Sequence, residues 1–202
     1  MKALLINTAE QYDWTTTNPT ITRFRQGWGR PNAQNAYDRA ALTRIVDETS
    51  VLEELQTDTY TATVPAAQGA LKVTMVYADR AGVPFSNIHR INDVTLKVTS
   101  PGGTVYWGNN GLTGSLWSEA GGVADTINTV ENVFIQSPQA GNWTIEVTAA
   151  EVNMDVHAET PVDDQDYALV VYGVTEMMGG GGSIFDDGFE SGDTSRWTYM
   201  VP

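Results

Sequence analysis

Between His89 and Val147 the chain alternates apolar and polar residues. Val94, Leu96 and Val98 interleave with Asp93, Thr95, Lys97 and Thr99, and Trp143, Ile145 and Val147 interleave with Asn142, Thr144, Glu146 and Thr148. Successive side chains of an extended chain point to opposite faces, so this pattern predicts half-buried strands. Pro101-Gly102-Gly103 and Ser137-Pro138-Gln139-Ala140-Gly141 punctuate them as turns. Residues 59–64 and 71–79 read as two more strands, joined by Pro65-Ala66-Ala67-Gln68-Gly69, with Leu71, Val73, Met75 and Tyr77 on one face. The continuous apolar run Leu169-Val170-Val171-Tyr172 predicts a strand over 168–174 that is covered on both sides.

Ahead of the strands the period is helical. Residues 2–10 carry Ala3, Leu4, Leu5 and Ala9, and a second helix is predicted from Pro31 to about Val46 on Ala33, Ala36, Tyr37, Ala40 and Ala41. Two short helices cannot bury a core of their own, which predicts a piece of something larger. The expected fold is mainly β: an antiparallel jelly-roll β-sandwich of about eight strands behind a short helical segment. The expected divisions are a helical segment at 1–48, the β domain at 55–176, a Gly-rich linker at 177–183 and an acidic-aromatic tail at 184–202.

A chain of 202 residues, 41% apolar, is long enough to bury a core. Its net charge of −14 repels phosphate backbones and anionic membranes, so nucleic acid is not expected as a partner. Cysteine is absent, which excludes thiol catalysis and disulfide stapling. No apolar stretch approaches the ~18 residues that would predict a membrane-spanning helix. The N-terminal apolar run is too short for the core of an export signal, so an extracellular location would need a signal on a longer parent.

The ordered set Asn92-Asp93, alternating strand, Ser100-Pro101-x-Gly103, Gly108-Asn109, Asp125, Val130-Glu131, Pro138-x-x-Gly141 and a final apolar strand carries a resemblance. It looks like the C-terminal β-barrel domain that follows the catalytic domain in many secreted subtilisin-like serine proteases, a domain related to the P domain of proprotein convertases. Thr95 departs from the family, which usually repeats an Asp there. Lys2-Ala3-Leu4-Leu5-Ile6-Asn7-Thr8-Ala9 and Gly27-Trp28-Gly29-Arg30-Pro31-Asn32-Ala33-Gln34-Asn35-Ala36 resemble the last helices of a subtilase catalytic domain. The resemblance implies a serine endopeptidase parent whose Asp, His and Ser lie upstream of Met1. It also implies a secreted location, the parent's catalytic domain and protein or peptide substrates as partners, and structural calcium.

The residues themselves offer no hydrolytic machinery. Only His89 and His157 could serve a serine as base, and neither is accompanied by a Gly-x-Ser-x-Gly elbow, so the chain alone is expected to be inactive. Asp155, His157 and Glu159 share one face of an extended segment, either a metal-binding face or a solvated one. A hard cation such as calcium wants several oxygens from carboxylates, amides and carbonyls held by loops. Asp93, Asp125, Asn128, Asp163, Asp164 and Asp166 are the candidate ligands, with Asn92, Asn109, Asn110 and Gln165 beside them. Six tryptophans admit a second reading, a stand-alone carbohydrate- or cell-surface-binding β-sandwich with Trp107 and Trp117 beside the Gly-Asn loop and polysaccharide as partner. Trp143 is expected in the core. The Ile184–Trp197 stretch resembles a short acidic-aromatic tag at the ends of secreted bacterial proteins and reads equally as a disordered tail.

Overall fold

The computed structural model describes residues 1–12, 22–82, 84–85, 89–156 and 161–179. Among these described residues, three short helices, α1 (Lys2–Asn7), α2 (Arg23–Gln26) and α3 (Ala33–Asp38), precede nine strands. These are β1 (Thr43–Glu53), β2 (Thr57–Val64), β3 (Ala70–Val76), β4 (Asp93–Thr99), β5 (Val105–Trp107), β6 (Val130–Gln136), β7 (Gly141–Glu151), β8 (Asp164–Tyr172) and β9 (Glu176–Gly179). They form two antiparallel sheets, ordered β1-β8-β3-β6 and β5-β4-β7-β2-β9, which pack face to face as a β-sandwich.

Strand parity decides which side chains fill the space between the sheets. Val94, Leu96 and Val98 of β4 and Ile145 and Val147 of β7 are fully buried, and Trp143 joins them with its indole Nε1–H donated to Gln139 O at 2.8 Å. From the other sheet come Leu71, Val73 and Met75 of β3, Val133 of β6 and Leu169 and Val171 of β8. The two predicted turns abut, so that Pro101 Cγ lies 3.3 Å from where a Cβ on Gly141 would stand; Gly141 also has φ +123°. A side chain there would be strained by its backbone and crowded by the proline.

The N-terminal segment lies on the outer face of the four-stranded sheet. Ala3, with Leu4 and Ile6, packs against Val76, Ala168, Val170 and Val130. Asn7, fully buried, donates from Nδ2 to Lys72 O, Thr74 Oγ1 and Val170 O at 3.0–3.1 Å. Trp28 meets Phe134 edge to face at 6.1 Å, with the Arg23 guanidinium 3.9 Å above the indole. This cover is why β8 is apolar on both faces.

Three sequence expectations change. The second helix ends at Asp38 rather than near Val46: after a 3₁₀ turn at Ala40–Leu42 the chain enters β1, pairing Thr43 with Tyr172 and Val46 with Leu169. Pairing with β8 and the β-branched Thr43, Ile45, Val46 and Val51 override the alanine-rich helical spacing, whose Tyr37 is exposed. The β structure therefore begins at Thr43 rather than at 55. Met177–Gly179, expected as linker, belong to β9, paired along β2 from Tyr60 to Thr63. Residues 180–183, the tail and both His157 and Glu159 lie outside the described residues.

Candidate metal centre

Glu131 occupies a core-facing position of β6, in parity with Val133 and Ile135, and is fully buried. Burying a carboxylate is costly unless it is hydrogen-bonded or paired. Its Oε2 accepts from Leu96 N at 2.9 Å, capping β4 where β5 has ended, while Oε1 has no hydrogen-bond partner. Gly108 makes room for it: a Cβ at that position would stand 1.9 Å from Oε2 and 2.8 Å from the Glu131 Cβ. Burial pushes the Glu131 pKa up to about 9, against the pull of the Leu96 N–H and helped by the charges of Asp125 and Asp93.

Asp93 opens β4 opposite Glu151 and is buried. Arg90 approaches its Oδ2 at 3.8 Å and bonds Glu151 at 3.0 Å, and Oδ1 has no hydrogen-bond partner. Burial raises the Asp93 pKa, opposed by Arg90 and reinforced by Glu151 and Asp125.

Asp125 is held differently. Its Oδ1 accepts from Ile127 N, Asn128 N and Asn128 Nδ2 at 3.0–3.1 Å, and its Oδ2 from Asn109 Nδ2 at 2.6 Å and Asn128 Nδ2 at 2.7 Å. Burial by itself would raise its pKa, but these donors together leave the carboxyl below its ordinary range. Asn109, at φ 63°, ties the loop to β6 by donating to Val130 O and accepting from Asn132 N. From there a buried chain of hydrogen bonds runs back to the N-terminal segment: Thr74 Oγ1 donates to Asn132 Oδ1 at 2.7 Å and accepts from Asn7 at 3.1 Å.

The remaining candidates lie at the head of β8. Asp163 is exposed before β8; Asp164 is buried opposite Glu53; the Asp166 carboxylate accepts from Gln165 Nε2 at 3.2 Å. The β3 strand separates β8 from β6. Asn92 and Gln165 instead join the sheets, with Asn92 Nδ2 donating to Gln165 Oε1 at 2.9 Å and to Met154 O at 2.8 Å. Among the described residues no three carboxylate or histidine side chains gather closely enough to hold an ion by themselves. What fits a cation is narrower. Glu131 and Asp93 each bury an unpaired carboxylate oxygen; the charges of Asp93 and Asp125 raise the cost of ionising Glu131, and those of Glu151 and Asp125 the cost of ionising Asp93, costs that a divalent ion would offset. Asn128 and Asp125 serve each other as donor and acceptor.

Glu131 was absent from the residue-derived ligand set although one signal marked it, an acid at core parity in an apolar strand. The involvement of Gly108, Asn132 and Asn7 has no counterpart in local pattern. His89 is exposed ahead of β4.

Comparison with protein-family models and with curated proteins yields no match. Among solved structures, the chain is similar to the crystal structure of a Bacillus licheniformis lipase, BlEst2, in its propeptide form, at 15% identity and a TM-score of 0.35. The match covers 66% of this chain and 22% of that one.

Proposed function

We propose that this chain is the C-terminal accessory part of a secreted subtilisin-like serine endopeptidase, without the Ser-His-Asp triad, and that it buttresses the catalytic domain and shapes substrate access. The observation that carries this reading is the convergence of the residues on which the resemblance rests. Gly108 exists to admit Glu131, Glu131 caps Leu96 in the strand after Asn92-Asp93, Asn109 holds Asp125, and the Pro101 turn packs on Gly141. Separately common residues thus interlock in two places, around Glu131 and Asn109 and, at the far end of β4 and β7, in the Pro101–Gly141 contact. The strand order 1-8-3-6 facing 5-4-7-2 supports the jelly-roll form of the sandwich.

The N-terminal segment supports the same reading. Its inner side packs on the sheet, while Met1, Leu5, Tyr12, Phe24 and Tyr37 stand exposed, as expected of a segment that docks against further polypeptide. Calcium, in this reading, is held by Asp93 and Glu131 beside Asp125, where it supplies charge compensation that stabilises the fold. No helix among the described residues is long and apolar enough to cross a membrane.

The test is the gene upstream of the Met1 codon. An in-frame subtilase catalytic segment ending in its serine nucleophile is expected. A stop codon immediately upstream overturns the proposal.

A further inference from the structure

The outer face of the five-stranded sheet carries a groove that the accessory-domain reading does not use. Strand parity sends Val94, Leu96 and Val98 inward, so Thr95 and Lys97 of β4 face outward, alongside Trp107 of β5 and Glu146 and Thr148 of β7. Together with Ala124 on the loop side they line a cavity of about 190 Å³, a size for one small ring rather than an extended chain.

The chemistry of the lining is specific. Lys97 Nζ bonds Glu146 Oε2 at 2.7 Å and stands 5.9 Å from the centre of the Trp107 ring, so one donor head and one acceptor head are fixed beside an indole. Their charges cancel, and the chain as a whole is at −14, which disfavours an anionic ligand. Thr95 adds an independent observation: it is 4% exposed, and its Oγ1 has no hydrogen-bond partner. An unpaired buried hydroxyl is costly. One staggered step of about 120° in χ1 exchanges Oγ1 with Cγ2, and a ligand in the groove that Thr95 lines would supply the missing partner.

An indole wall, a paired donor and acceptor, and a hydroxyl lacking a partner suit a molecule with one apolar face and a rim of neutral hydroxyls. We infer that the groove is a subsite for a single pyranose ring of a neutral saccharide, stacked on Trp107 with its hydroxyls on Lys97, Glu146 and Thr95. The site needs no catalytic partner, and its Thr95 and Ala124 adjoin the proposed metal centre in sequence.

The test is calorimetric and NMR titration of the full chain with cellohexaose, xylohexaose and hexa-N-acetylchitohexaose at millimolar concentration. Saturable binding of at least one of them is expected, with a shift of the Trp107 indole N–H. Trp107→Ala should weaken it at least tenfold, and Trp107→Phe less. Because loss of Trp107 could disturb the short β5 strand, Thr95→Val is the decisive variant: it should weaken saccharide binding several-fold while leaving the melting temperature equal or higher. No Trp107 shift with any of the three oligosaccharides overturns the inference. So does binding unaffected by Trp107→Ala and Thr95→Val, or occupation of the groove by a basic or apolar peptide instead.

Discussion

Glu131 is buried where a negative charge would cost most. In the unfolded chain a glutamate titrates near 4.5, whereas burial pushes the folded value up to about 9. A group whose folded pKa is raised contributes stability that is complete below the unfolded value and is lost as pH climbs toward the folded one. In chelator, the protein should therefore lose up to about 1.4 kcal/mol of stability per pH unit from this residue between those two values. Urea denaturation at pH 5, 7 and 9 checks this: Glu131→Gln should flatten the decline and be the more stable protein at pH 9. A wild-type profile as flat as the variant's would rule out the buried acid as its source. Asp125 acts oppositely, since its lowered pKa gives stability that is lost only as pH falls through the acid range. Gly108 belongs to the same account. Gly108→Ala places a methyl against Glu131 and should cost about 1–3 kcal/mol in the same assay, as overpacking does; in the Glu131→Ala background the penalty should shrink.

At the scale of elements, α1 is too short to be stable alone and takes its order from the sheet beneath it. Asn7 is the pin, with its amide among three acceptors on β3 and β8. Asn7→Ala should cost about 1–3 kcal/mol for the acceptors left unpaired. It should also speed amide exchange in residues 2–7 selectively, leaving β4 and β7 protected. Uniform exchange across all strands would instead mean that α1 unfolds only with the sandwich. The same region shows where local pattern stops being informative. Alternation identified β2, β3, β4 and β7 to within a few residues because parity is written in each strand's own side chains, and a continuous apolar run marked the second half of β8. Ala33–Ala41 has the spacing of a helix, but β1 exists because β8 needs a partner along Thr43–Glu53, and pairing partners 120 residues away leave no local signature. Likewise Lys72, Thr74 and Val76 alternate as if one face were solvated, and only the docking of α1 buries Thr74 and Val76.

For the whole molecule the test is linkage to calcium. A ligand that binds only the folded state stabilises it by RT ln(1 + [L]/Kd), about 3 kcal/mol at a hundredfold excess, which corresponds to roughly 5–10 °C in a chain of this size. Millimolar calcium should raise the melting temperature over that in chelator by such an amount at pH 8, and by less at pH 5, where protons compete for Glu131. The double variant Asp93→Asn, Glu131→Gln should lose the response, whereas Asp163→Asn, Asp164→Asn and Asp166→Asn should keep it. A calcium response retained by the first variant and lost by the second would relocate the site to the head of β8. No response in a folded sample would remove calcium from the account.

The sequence by itself determined the strand class, the inward set from Val94 to Trp143, Ile145 and Val147, the turns at Pro101 and Ser137–Gly141, and the net acidity of the chain. These follow from period, backbone freedom and charge, all of which act between near neighbours or sum over the chain. Only the tertiary structure decided that the acids at the head of β8 are kept from β6 by β3, that Glu131 is an acid buried in the core while the loop Asp125 is held as a carboxylate by its donors, and that α1 covers β3 and β8. It alone also set Thr95 with an unpaired hydroxyl beside Trp107. A carboxylate's pKa, a helix's partner and a groove's lining depend on which distant strands lie side by side, and that ordering is a property of burial shared across the fold.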